Sequence, residues 1–293
     1  MEKTRSVCDA LICMRNALLS FCAVVLIGAA EEAKPQPFVP GCTLPFDAIK
    51  VHHPIDDMCA ARGDVPEPAL AANDAGHALQ NQAKNNFCAL GNPIVIAFAT
   101  FSRLQRNLDQ KVPAAKTWNR EHLPADRSGF ASIYTTSAGD TIGEGSVVKF
   151  AGWVMKLRPG GKESVNCQAS TKDATDLHIV LIATSDRQST PECSSVTAEI
   201  APHFRPDNWD AHTILSANDH PLRFTGPLMY DASHRPCSGS PPKAGSSAPA
   251  RVSSWEIHPV YGIDVCMKKS LSSCKASDDS VWTPLDQWQG DEG

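Results

Sequence analysis

Eight cysteines follow residue 30: Cys42, Cys59, Cys88, Cys167, Cys193, Cys237, Cys266 and Cys274. No two are spaced Cys-x-x-Cys, so neither a zinc ribbon nor a thioredoxin-like redox site is supported. An even number of cysteines in an exported chain points instead to disulfides. Three precede residue 90 and five follow residue 160. If all eight pair internally, at least one bridge joins the two halves.

The N-terminus supplies the export context. Arg5 and Arg15 precede an apolar run from Ala17 to Ile27, and Gly28-Ala29-Ala30 offers small residues for cleavage. This pattern predicts a signal peptide over residues 1–30 and a periplasmic or extracellular location. The run is short for a bilayer span, so no transmembrane span is expected in the mature chain. An N-terminal anchor is the competing reading. A lipoprotein is disfavoured because bulky Phe21 sits where a small residue belongs before Cys22.

Hydrophobic residues make up 42% of the 293-residue chain, enough for one large or two small cores. The net charge is −5. A general electrostatic nucleic-acid binder would be basic, so that class is disfavoured.

Residues 31–41 read as a Pro-rich linker. Residues 42–145 read as a cysteine-containing, mostly helical segment, with helices expected over Asn73–Ala89 and Phe101–Leu108. Ile94 to Ala99 is short and apolar, compatible with strand or helix. From 146 the pattern changes to strands: Val147–Leu157, Asp176–Ala183, Ser195–Ala201, Leu222–Tyr230 and Ser254–Val265. Five strands, with a long excursion between the third and fourth, predict an α+β protein. Its 146–267 region is expected to form a small, OB-like Greek-key barrel, disulfide-linked to the helical segment. A small open sandwich is the rival. Residues 268–293 form a polar tail, but Cys274, Trp282 and Trp288 predict that part of it packs back.

Side chains alternate faces along a strand. Asp176 and His178 therefore share one face of their strand, opposite Leu177, Ile179 and Leu181. Glu256 and His258 share a face opposite Trp255, Ile257 and Tyr261. Glu199 stands opposite Val196, Ala198 and Ile200, and His234 follows the fourth strand. If these faces coincide, Asp176, His178, Glu199, His234, Glu256 and His258 form one polar cluster. Three histidines among carboxylates could hold Zn²⁺ or another divalent ion. A His beside a carboxylate could also act as a general base. The bland alternatives are solvation of an antiparallel sheet face or a hydrogen-bonded buried pair. No cofactor is specified by any motif.

Four segments carry a resemblance: Asp176-x-His178, Glu199-Ile200-x-Pro202, Gly226-x-Leu228-x-Tyr230-Asp231-x-x-His234 and Trp255-Glu256-Ile257-His258-Pro259-Val260. Together they resemble a recurring set in exported bacterial proteins of uncharacterised function. The resemblance covers about residues 146–266 and implies a family, not a reaction. The segment Gln80 to Cys88 resembles the region that precedes the set in some such proteins.

Asn119-Arg120-Glu121-His122 resembles the start of the site in ββα-metal endonucleases. The tetrapeptide is short, Pro124 breaks the chain just after it, and no matching Asn/His helix appears. Loop placement is the preferred reading. The hydrolase elbow Gly-x-Ser-x-Gly is absent. Residues 146–267 hold 11 basic and 12 acidic side chains. That balance favours a saccharide, peptide or protein ligand over nucleic acid. The resulting expectation is an exported binding or accessory module, with a metal-dependent hydrolase, possibly a nuclease, as the alternative.

Overall fold

The computed structural model describes residues 62–65, 74–87, 89, 91–172, 174–203, 205–237 and 250–290. The expected signal peptide, the 31–41 linker, Cys42, Cys59, Cys88 and the 238–249 loop lie outside the described residues.

Helix α1 (Asp74–Lys84) comes first, shorter than the expected Asn73–Ala89. Ile94-Val95-Ile96 then forms strand β1, as its β-branched residues favour. Helix α2 (Phe98–Lys111) follows and buries Phe101, Leu104 and Leu108, an i, i+3, i+7 stripe. Thr100 Oγ1 accepts the Ala97 N–H at its start. A two-stranded hairpin, β2 (Tyr134–Thr135) and β3 (Thr141–Ile142), completes this half. The segment is therefore less uniformly helical than its composition suggests.

The second half supplies β4 (Val147–Pro159), β5 (Leu177–Ile182), β6 (Val196–Ile200), β7 (Leu222–Tyr230) and β8 (Trp255–Ile257). A short helix α3 (Ala211–Ser216) lies between β6 and β7. The order β4-β5-β6-β8-β7 returns to β4 through a direct β4–β7 pairing, which closes a five-stranded barrel. All neighbours are antiparallel except β6 and β8, which run parallel.

Strand β4 makes closure possible. Its first half, Val147 to Gly152, pairs with β7, while Trp153 to Pro159 pairs with β5. The register slips between Val154 and Lys156, and such irregularities bend a strand toward a new partner. Gly226 of β7 permits another close approach. A Cβ there would fall 2.5 Å from the Pro259 carbonyl oxygen.

The expected fifth strand, Ser254–Val265, is in fact two. Strand β8 ends at Ile257, and β9 (Gly262–Cys266) starts a separate pairing with β7. Pro259 has no N–H to continue a ladder, which accounts for the break. Strand β10 (Trp282–Pro284) pairs with β9. The polar tail thus packs back, burying Trp282 and Leu285. The barrel interior holds Val148, Phe150, Leu177, Ile179, Leu181, Phe224 and Trp255, with α2 packed against the same core.

Disulfides join Cys193 to Cys237 and Cys266 to Cys274. Cys167 is also disulfide-bonded. Titration of the denatured, unreduced protein from an oxidising compartment should find none of these five thiols free. Recovery of Cys193 or Cys266 as a reactive thiol would overturn these bridges. Among the described residues, no helix is long and apolar enough to cross a membrane.

Candidate functional site

Asp176, His178, Glu199, Glu256 and His258 lie along one chain of contacts, with His234 apart from it, and they do not form a solvated sheet face. Asp176, Glu199, Glu256 and His258 are buried, and His178 is half-buried. Burying charge is costly unless each group is paired, so the pairing scheme explains the site.

Strand register brings the groups together. His178 on β5 stands opposite Glu199 on β6. The parallel register of β6 and β8, with Ala198 beside Ile257, carries on to set Glu199 beside His258. Glu199 is the bridge: Oε1 faces His178 Nδ1 at 3.2 Å, and Oε2 faces His258 Nδ1 at 3.0 Å. Both are charge contacts, neither of them an aligned hydrogen bond. His258 Nδ1 also meets Glu256 Oε1 at 3.3 Å. On the far side of His178, Nε2 lies 3.0 Å from Asp176 Oδ2 and 3.5 Å from Glu163 Oε1.

The network continues through residues that sequence patterning missed. Arg251 donates to Glu256 Oε2 at 2.6 Å and to Asp231 Oδ2 at 2.5 Å. His234 Nδ1 contacts Asp231 Oδ2 at 2.8 Å, while Gln80 Nε2 donates to Asp231 Oδ1 at 2.9 Å. Lys84 donates to Glu163 Oε2. Arg127 holds Gln80 Oε1 at 2.6 Å and pairs with Glu144. His234 thus joins the other five candidates only through Asp231 and Arg251.

Local chemistry fixes several of these positions. Asn166 Oδ1 accepts the Glu163 N–H at 2.9 Å, closing the short turn that carries Glu163. Gly160 lies directly against Asp176: an added Cβ would fall 1.8 Å from Asp176 Oδ1. No positive φ requires glycine at 160, so close approach is its role. Lys84 and Gln80 sit one helical turn apart on α1, which places both over the cluster.

The electrostatics follow from burial and pairing. Burial pushes Glu199 toward the neutral form, but His178 and His258 prevail and lower its pKa to about 2. Burial likewise opposes the charge on His258, yet Glu199 and Glu256 raise it to about 9. His178 is raised well above the ordinary histidine value against its own burial, by Glu199 and Asp176. Lys84 is burdened by desolvation but raised by Glu163 and more distant carboxylates. Asp231 is held well below the carboxylate range despite burial, by His234 and Arg251. Burial raises Asp176 and Glu256, and neighbouring carboxylates add to both shifts.

Both ends of this network reach one pocket of about 740 Å³. Lys84 and Glu163 line it, as do Gln80, Ser233 and His234. Its volume is typical of small-molecule sites. Arg120, Glu121 and His122 of the nuclease-like tetrapeptide also line it. Asn119 does not act as a free ligand there. Its Oδ1 accepts the backbone N–H groups of Glu121 and His122 at 2.9 Å, closing a tight turn. The loop reading of that segment therefore agrees with its structure.

Two sets of side chains among the described residues bring ligand atoms close enough for one ion: Glu163, Asp176 and His178, and Glu199, Glu256 and His258. The second set is fully buried, with Arg251 on Glu256. No protein-family model, no curated protein and no solved structure matches this chain.

Proposed function

We propose that the chain is an exported, disulfide-stabilised binding module on an OB-like barrel. Its ligand is a small polar molecule, a saccharide or short peptide, held in the 740 Å³ pocket. The carrying observation is that Gln80, Lys84, Glu163 and His234 reach this pocket already held by buried partners. Pre-positioned polar groups bind without first losing side-chain freedom. The closed five-stranded order, with closure between the first and fourth barrel strands, supports the OB-like reading. The disulfides are compatible with export. The sequence resemblance to exported bacterial proteins points the same way.

One observation favours the alternative, a metal-dependent hydrolase. Asp231 engages His234 Nδ1, which leaves Nε2 as the ring nitrogen available to the pocket. That is the arrangement a general base needs.

Calorimetric titration of the oxidised protein with chitotetraose, tetragalacturonate, trialanine and a dT10 oligonucleotide tests the binding reading. At least one saccharide or peptide should bind, and His234→Gln should weaken it about tenfold, or about 1.4 kcal/mol. Binding of the oligonucleotide alone, with a steep salt dependence, would refute it.

A further inference from the structure

We propose that Glu163, Asp176 and His178 form a binding site for one divalent transition-metal ion, zinc or manganese, in the pocket wall. The site does not depend on which organic ligand the pocket takes.

The donor geometry is the first support. Atoms ligating one ion at about 2.1 Å lie about 3.0 to 3.4 Å apart in octahedral or tetrahedral arrangements. His178 Nε2 lies 3.0 Å from Asp176 Oδ2 and 3.5 Å from Glu163 Oε1. Asp176 and His178 share a face at i, i+2 spacing, and the separate turn that carries Glu163 brings the third side chain to them.

The surroundings of His178 provide the second. A metal-bound histidine usually donates its other ring N–H to a carboxylate, which fixes ring and tautomer. Glu199 Oε1 stands in that carboxylate position as an ion-pair contact, 3.2 Å from His178 Nδ1. This leaves Nε2 as the coordinating atom, on the side of Asp176 and Glu163. Glu199 is then a positioning residue and not a ligand. Asn166 Nδ2 faces the other Asp176 oxygen at 3.4 Å, and Lys84 takes the other Glu163 oxygen. Each carboxylate thus has one oxygen engaged from behind and one directed at His178.

Access and charge agree with this assignment. Glu163 lines the pocket and His178 is half-buried, while Asp176 is buried, so an ion reaches the site past Glu163. The fully buried Glu199, Glu256 and His258 set has no such path among the described residues. Binding displaces the His178 ring proton to solvent; two carboxylates and the neutral imidazole then match a dication in charge, and a mixed oxygen and nitrogen set suits zinc or manganese.

The test uses the full-length oxidised protein after chelator treatment. Titration with Zn²⁺ alone, and with Mn²⁺ alone, should show one equivalent bound. Glu163→Gln and His178→Gln should each weaken binding at least tenfold. Glu199→Gln should weaken it 10- to 100-fold through loss of orientation. His212→Gln, exposed on α3 and outside both the triad and the pocket, should leave it unchanged. A readout on the parent protein guards against variants that fail to fold. Zn²⁺ should shift the ring ¹⁵N resonance of His178 Nε2 and leave those of His122 and His234 in place. Absence of stoichiometric binding to the parent, or shifts confined to His122 and His234, would overturn the assignment. Saccharide or peptide binding by the metal-free protein would leave the binding-module reading standing whichever way this experiment falls.

Discussion

Arg251→Ala should destabilise the fold by about 3–5 kcal/mol, the usual cost of stranding a buried charge. Arg251 is 2% exposed, and its guanidinium spans two buried carboxylates, Glu256 and Asp231. Removing it leaves both without their strongest donor in a medium that solvates charge poorly. Arg251→Lys should recover little, because one ammonium cannot reproduce a fork that donates from two nitrogens in fixed directions. The double variant Arg251→Met, Glu256→Gln should recover part of the loss, since it removes one stranded charge along with its partner. Urea unfolding at constant pH measures all three. A loss under about 1 kcal/mol for Arg251→Ala would show that the network does not depend on this residue.

The barrel was legible in alternation. Leu177, Ile179 and Leu181 share a strand face and do occupy the core. The fourth expected strand, Leu222–Tyr230, has the observed bounds. Expectation failed where one residue changed the local rule. Pro259 divides the last strand, and the slip near Met155 lets β4 serve two neighbours. The late pairing of β10 with β9 depends on a contact across a disulfide-closed loop, which no local pattern reveals.

The site was legible only in part, for a different reason. Spacing shows that Asp176 shares a face with His178, and Glu256 with His258. It does not show what covers that face. An antiparallel sheet with polar residues on one side reads as solvated on that side. Here α1 and the Glu163 turn cover it, and they do so with polar side chains of their own. Lys84 sits in the run Gln80 to Asn86, whose polarity reads as exposure, although Asn81 and Asn85 are fully buried. That run, on a helix with few apolar residues, was the available signal. Arg251 had none: it follows a long Pro/Ser/Gly loop and meets Asp231 twenty residues away.

Stability should be greatest between about pH 4.5 and 6.5 and should fall on both sides, for opposite reasons. The alkaline side belongs to the histidines. His258 has its folded pKa raised to about 9 from an ordinary 6.5, so the folded state holds a proton that the unfolded state releases earlier. The stabilisation is fully present below 6.5 and is lost as pH rises through 9. The shift corresponds to roughly 3 kcal/mol, at about 1.4 kcal/mol for each pH unit. His178 is raised in the same direction and adds to the slope. The acid side belongs to the carboxylates. Glu199 is lowered to about 2 from 4.5, so its contribution is present above 4.5 and is lost as pH falls toward 2. Glu163 and Asp231 act likewise. Asp176 and Glu256 are raised and therefore soften this acid loss. Urea unfolding at pH 5.5, 7.0, 8.0 and 9.0 should show a progressive decline. His258→Gln should be less stable at pH 5.5 and should decline less steeply than the parent from 7.0 to 9.0, His178 carrying the slope that remains. A parent protein whose stability held constant or rose between pH 6.5 and 9 would mean that neither imidazole carries the buried positive charge that Glu199 requires.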